Sequence, residues 1–158
     1  FEKNFSENHL IGLGITSRKI NNNDYDYYNS FSIFDSKVNL IDNYNKIKLV
    51  PFGEFVPIEN FLNKFGLKTI TNNIGSFDKG VNRKIIKIQD DLKQINFLPL
   101  ICYEIIYSGN LTNNFNFDFI LNISEDGWFG KSIGPKQHFI HSKFRAIENG
   151  KYLSLIHI

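Results

Sequence analysis

Apolar positions along the chain come in short unbroken runs, alternating stretches and one segment with helical spacing. Leu10 to Thr16 (LIGLGIT) is an apolar run carrying glycines and predicts a buried strand. Asn21 to Tyr28 (NNNDYDYY) is polar and turn-rich, which predicts a loop. Phe31 to Phe34 alternates with serine as a second strand, Asp35 to Asn39 turns the chain, and Leu40 to Val50 predicts a third strand running into Pro51. Pro51 and Pro57 forbid continuous regular structure. Ile58, Phe61, Leu62 and Phe65 then sit at i, i+3, i+4 and i+7, one apolar face of a short helix. Thr69 to Asn82 reads as a loop. Arg83 to Gln89 and Leu92 to Cys102 predict two strands joined by a turn at Asp90 and Asp91, and Ile105 to Asn114 a short helix. Phe117 to Ser124 predicts a buried strand that ends in a polar cluster, Glu125, Asp126, Gly127 and Trp128. Pro135 to Asn149 reads as a helix, with proline at its start and Gly150 just past its end; Lys151 to Ile158 resumes as a strand. No repeat, low-complexity linker or domain boundary interrupts this order, so strands with occasional helices predict one α/β layered domain.

Composition narrows the function classes. The 158 residues are 42% hydrophobic and 22% charged, with a net charge of +2, enough for a real core and too balanced for a nucleic-acid binder. Lysines are scattered, so no polybasic membrane patch is expected. The single cysteine excludes an internal disulfide framework. No run approaches the roughly 20 apolar residues of a membrane-spanning helix. The chain opens on Phe1 and contains no methionine, which leads us to expect a fragment or processed piece of a longer protein.

Few residues offer chemistry. Cys102 closes the strand LPLIC and precedes Tyr103 and Glu104. A free cysteine is commonly just a small core residue, but one displayed at a strand end beside a carboxylate is where a nucleophile would stand. A nearby cation would favour its thiolate. Lys46 and Lys48 compete for that role, and the period of two puts both on the same strand face. Glu54, in the Pro–Phe–Gly turn, either caps backbone N–H groups or orients the lysine. Trp128 reads alone as core or rim. His138 and His141 share a helix face, but no second cluster completes a metal site, so none is expected.

Taken in order, the segments YNKIKLVPFGEFVP, ICYE, SEDGWFGKSIGPKQH and RAIENGKYL, with YYNS and FDKG beside them, resemble the nitrilase-like (carbon–nitrogen hydrolase) domain of bacterial apolipoprotein N-acyltransferases. The likeness runs from about Leu10 to Leu153. It implies an αββα sandwich of the nitrilase superfamily, incomplete here, with residues 1–158 forming part of one catalytic domain. It implies a Glu–Lys–Cys triad in which Cys102 is the nucleophile and Lys46, not Lys48, the lysine. It implies that Glu54 is a second essential glutamate, that Tyr103, Glu104 and Trp128 contact substrate, and that no cofactor is used.

The implied reaction moves an acyl chain from a phospholipid, through a thioester on Cys102, to the N-terminal amine of a diacylglyceryl-cysteine lipoprotein. It would take place at the bacterial inner membrane, with the catalytic domain on the periplasmic side. Ile58, Phe61, Leu62 and Phe65 become a candidate lipid-facing lid. Two alternatives stand beside it: a soluble amidase of the same superfamily acting on a small amide, and a non-catalytic domain that keeps the fold. Three departures from the family pattern matter. No residue here fills the place of the base glutamate, expected well upstream of Tyr27. Glu125 stands where the family usually has asparagine. The final SLIHI does not continue the expected segment. The upstream membrane helices and final anchor are likewise expected to lie outside this chain, and the 158 residues alone to be inactive.

Overall fold

The computed structural model describes residues 9–22, 24–56, 76–89, 93–109 and 111–157. Ile58, Phe61, Leu62 and Phe65 lie outside the described residues, and so does the helix expected there. Two sheets organise the rest. In the first, β1 (Ile11–Asn21) and β2 (Asp24–Phe34) form a long antiparallel hairpin, paired from Ile11 with Phe34 to Asn21 with Asp24, and β2 pairs antiparallel with β3 (Leu40–Asn45). The second has the order β4 (Ile86–Gln89), β5 (Gln94–Ile101), β6 (Phe119–Ser124), β7 (Tyr152–His157). Its first pair is antiparallel and the other two are parallel.

The sheets meet through Phe31, Ile33 and Tyr44 on one side and Ile86, Phe97, Ile101 and Ile123 on the other. Leu98, Leu100 and Ile120 point to the opposite face of the second sheet and pack with Ile105, Leu111 and Phe117. The second half of β5, Phe97 to Ile101, is therefore covered on both faces, which is why it is an unbroken apolar run rather than an alternation. Helix α1 (Gly134–Asn149) follows, begun by Pro135 and closed by Gly150, whose φ of 59° suits a residue without a side chain. Its buried positions are His138, Ser142 and Arg145, while Phe139, Phe144 and Ile147 are exposed.

Four expectations differ from the structure. The first strand is present but not buried: most of β1 is exposed, at the edge of the three-stranded sheet. The polar stretch Asn21 to Tyr28 is not a loop but the far half of the β1–β2 hairpin. There both strands are largely exposed, so backbone pairing and local contacts hold them without apolar alternation; Asn21 bonds Asp26, and the Arg18 guanidinium lies 5.0 Å from the Tyr25 ring centre. Strand β3 stops at Asn45 instead of reaching Val50, because the N–H groups of Ile47 and Lys48 donate to the Glu104 carboxylate rather than to a neighbouring strand. The helix expected over Ile105 to Asn114 shrinks to a 3₁₀ turn over Cys102–Ile106. Beyond it, Thr112 and Asn114 side chains accept from the backbone N–H groups of Asn114 and Asn116, the local competition that disfavours a helix.

Candidate active site

Lys46 leaves the end of β3 and is 1% exposed. Its backbone is clamped from two directions: its N–H donates to Asn29 O at 2.9 Å, and its carbonyl accepts from Gly80 N at 2.8 Å. Gly80 is required at that approach, since a Cβ there would fall 2.2 Å from Asn45 O. The lysine Nζ donates to both oxygens of Glu54, at 2.9 and 2.7 Å. Glu54 is held in turn by its own turn, with Val50 N donating to Oε2 at 2.8 Å and Glu54 N donating to Val50 O at 2.9 Å. The Asn29 amide donates to the other oxygen. The Pro–Phe–Gly–Glu turn thus fixes a carboxylate, and the carboxylate fixes a buried ammonium. That pair satisfies the rule that buried charges are paired.

Cys102 stands where β5 ends and the 3₁₀ turn begins, with a φ of +48°. Left-handed backbone is costly for a residue with a side chain and is kept where surrounding bonds hold it. One such bond comes from α1: His138 Nε2 lies 3.1 Å from the Cys102 carbonyl, which can only accept, so Nε2 carries the hydrogen. On its other side, His138 Nδ1 faces Asp126 Oδ1 at 3.1 Å, and Ser124 Oγ donates to that same oxygen at 2.6 Å. The buried face of α1 therefore reaches the backbone of the thiol-bearing residue. Replacing His138 with alanine removes a buried donor from that carbonyl. We expect a stability loss of about 1–3 kcal/mol in urea unfolding, most of it recovered by His138→Gln, which restores a donor on a side chain of similar reach.

A cavity of about 460 Å³ brings these groups together. Lys46, Glu54 and Cys102 all line it, with Asn29 and Tyr103, while Val50, Ile101, Ile123 and Phe129 make its walls largely apolar. Glu125 and Trp128 lie on its rim, both exposed. The Trp128 ring reaches the Pro–Phe–Gly–Glu turn, where a Cβ on Gly53 would lie 3.5 Å from it. Lys48 does not line the cavity; it is exposed, with its ammonium 5.3 Å from the Tyr107 ring centre. The strand-face argument could not separate the two lysines because both lie beyond the end of β3.

Glu104 is placed differently from the substrate-facing position expected for it. It is fully buried and absent from the cavity wall. Its carboxylate accepts from Tyr44 Oη at 2.8 Å, from the N–H groups of Ile47, Lys48 and Ile101, and pairs with Arg83 Nη1 at 3.0 Å. Burial, reinforced by this carboxylate, pushes the Tyr44 phenol well above its ordinary value and keeps it a donor. Glu104 thus ties the Lys46 segment of one sheet to the Cys102 turn of the other. Neither this role nor the His138 contact was legible in the sequence, since both join residues far apart in the chain. His141 is exposed; among the described residues no group of three His, Cys, Asp or Glu side chains is placed to hold a metal. Nor is any described helix long and apolar enough to cross a membrane.

The family model described as carbon-nitrogen hydrolase matches residues 6–156. Among curated proteins, the chain is 40% identical over 125 residues to the apolipoprotein N-acyltransferase of Rhizobium rhizogenes, covering 78% of this chain and 23% of that protein. It is 38% identical over 140 residues to the apolipoprotein N-acyltransferase of Allorhizobium ampelinum, covering 88% and 24%. The chain therefore spans about a quarter of the length of the curated relatives it matches. Among solved structures, it superposes on a glutamine-dependent NAD+ synthetase from Acinetobacter baumannii with a TM-score of 0.60 at 16% identity, covering 96% of this chain and 24% of that one. An amidase of the nitrilase superfamily from Nesterenkonia AN1 gives 0.52 at 13% identity, covering 84% and 41%. At such identities the likeness is one of fold.

Proposed function

Because the chain belongs to the carbon–nitrogen hydrolase family, we propose that it is the catalytic part of an apolipoprotein N-acyltransferase, with Cys102 as nucleophile and Lys46 as oxyanion partner. The observation that carries this reading is a thiol and a carboxylate-held ammonium on one largely apolar cavity. The kinship with proteins named for lipoprotein N-acylation supports the substrate class. The acyl donor is a phospholipid ester, the acceptor the N-terminal amine of a diacylglyceryl-cysteine, and the setting the periplasmic side of the inner membrane.

In the first half-reaction the Cys102 thiol gives its proton to a base glutamate, which the resemblance to the family implies upstream of Tyr27. The thiolate adds to the ester carbonyl, and the resulting oxyanion is stabilised by the Lys46 ammonium. Such preorganised charge is commonly worth several kcal/mol, about 2.7–4 for a single donor. Glu54 keeps the ammonium in place without needing to move. Collapse of the intermediate breaks the ester C–O bond, returns the proton to the leaving lysophospholipid and leaves a thioester. In the second half-reaction the acceptor amine, in its neutral form, adds to the thioester carbonyl. The C–N bond forms, the C–S bond breaks, the nitrogen loses its proton to the base, and Cys102 is restored. Val50, Ile123 and Phe129 suit a hydrocarbon chain and exclude water that would hydrolyse the thioester.

Mass spectrometry tests the first half. The full-length protein exposed to phospholipid, without acceptor, is expected to gain one acyl group on the peptide bearing Cys102. An adduct that persists in Cys102→Ala would put the nucleophile elsewhere. The small-amide reading predicts instead that short amides turn over and phospholipid leaves Cys102 unmodified.

A further inference from the structure

Strands β5 and β6 run parallel, with Ile101 paired to Ile123, so the residues that follow each strand leave the sheet side by side. Cys102 follows one, and Glu125 the other, directly after Ser124, the last residue of β6. Glu125 therefore departs the sheet about one strand spacing, ~4.8 Å, from the turn that carries the thiol. Its Oε1 accepts from Gly127 N at 2.9 Å, which fixes the side chain at the start of the 3₁₀ turn over Asp126–Phe129. Three ionised side chains line the cavity: Lys46, Glu54 and Glu125. Lys46 and Glu54 offset one another at 2.7 Å. Among the described lining residues, the uncompensated charge is that of Glu125. Trp128, three residues on and 73% exposed, presents its ring on the same rim.

We propose that Glu125 and Trp128 form a subsite at the cavity mouth for a primary ammonium carried on an apolar group. The carboxylate offers charge and a hydrogen-bond acceptor, and the indole face attracts the same cation through its quadrupole. A neutral head of equal size gains neither. In its biological meaning the inference rests on the acyltransferase reading: an amine acceptor arrives as an ammonium, and this subsite binds it beside the thioester before it is deprotonated. Glu125 is then a specificity-determining residue for the second half-reaction.

The test uses the full-length protein and two probes of equal length, hexylammonium and 1-hexanol. Each is titrated as a protector of Cys102 against iodoacetamide, with alkylation read on the Cys102 peptide. Hexylammonium is expected to protect at about fivefold lower concentration than hexanol at low salt, the scale of a partly exposed ion pair, and the gap to narrow as salt is raised. Glu125→Gln should abolish the gap while leaving protection by hexanol unchanged. Equal protection by both probes in the wild-type protein, or a gap that survives Glu125→Gln, overturns the subsite. Acylation of Cys102 by phospholipid is followed in the same two proteins. Its failure in the wild type would count against the acyltransferase reading, whereas the ammonium subsite stands or falls on the protection ratio alone.

Discussion

Lys46→Ala slows acylation of Cys102 by about 10²–10³-fold, the cost of losing one preorganised oxyanion donor, whereas Lys48→Ala leaves it within about twofold. The two lysines are two residues apart and chemically identical, so the contrast isolates position. Lys46 is buried in the cavity wall with both oxygens of Glu54 on its ammonium. Lys48 is exposed, over the Tyr107 ring and outside the wall. Lys46→Ala also strands the Glu54 carboxylate, so stability has to be followed in the same samples. Lys46→Arg is the useful control: it keeps the charge but replaces a compact ammonium with a wider planar fork, and is expected to fold better than the alanine variant without regaining full rate. The measurement is single-turnover acylation of Cys102 in the full-length protein, normalised to folded fraction. Equal losses in Lys46→Ala and Lys48→Ala would remove the assignment of the oxyanion partner.

The largest expected effect on stability belongs to Glu104, which is fully buried and outside the cavity wall. Glu104→Ala leaves the Arg83 guanidinium, the Tyr44 hydroxyl and the N–H groups of Ile47, Lys48 and Ile101 without their common acceptor. Removing one partner of a buried, hydrogen-bonded charge pair costs about 3–5 kcal/mol. For a domain of this size that corresponds to a fall in melting temperature of about 10 °C. Glu104→Gln keeps the shape but turns an amide donor toward groups that are themselves donors, so it is expected to recover only part of the loss. Calorimetry or thermal melting of the two variants against wild type decides the matter. A melting temperature within 2–3 °C of wild type for Glu104→Ala, about what a surface substitution produces, would mean that the carboxylate is not the tie between the sheets that its hydrogen bonds suggest.

Which parts of the molecule were legible in the sequence follows from where the information resides. Helix α1 was visible because its proline start and glycine stop are local signals. Strands β5 and β6 were visible because burial on both faces makes Phe97 to Ile101 wholly apolar and Phe119 to Ile123 apolar but for Asn122. The far half of the β1–β2 hairpin was not: its residues are mostly exposed, and backbone pairing leaves no trace in side-chain pattern. The segment after Asn45 was expected to continue the strand, but the N–H groups of Ile47 and Lys48 are taken by a carboxylate 57 and 56 residues on rather than by a strand. For the candidate site, the motif order drew attention to Lys46, Glu54 and Cys102, and the structure lines one cavity with all three. Asn29, which clamps both Lys46 and Glu54, carried no signal of its own within a polar-aromatic strand. Glu104 looked like a site residue because it sits next to Cys102 and Tyr103, yet a 3₁₀ turn sends neighbours in different directions: Tyr103 toward the cavity and Glu104 into the core.

The tie made by Glu104 spans 60 residues to Tyr44 and joins strands of separate sheets. Contacts of such long range form late, because much chain must be closed into loops before they are rewarded. Until the sheets dock, Lys46 has no fixed relation to Cys102, and the thiol is an ordinary cysteine near the end of a greasy segment. Reactivity is therefore a product of completed assembly and not of the local sequence around the cysteine. Under the proposed mechanism, a chain whose sheets have not docked holds Cys102 without its charge partner and is not expected to take up an acyl group that it cannot pass on.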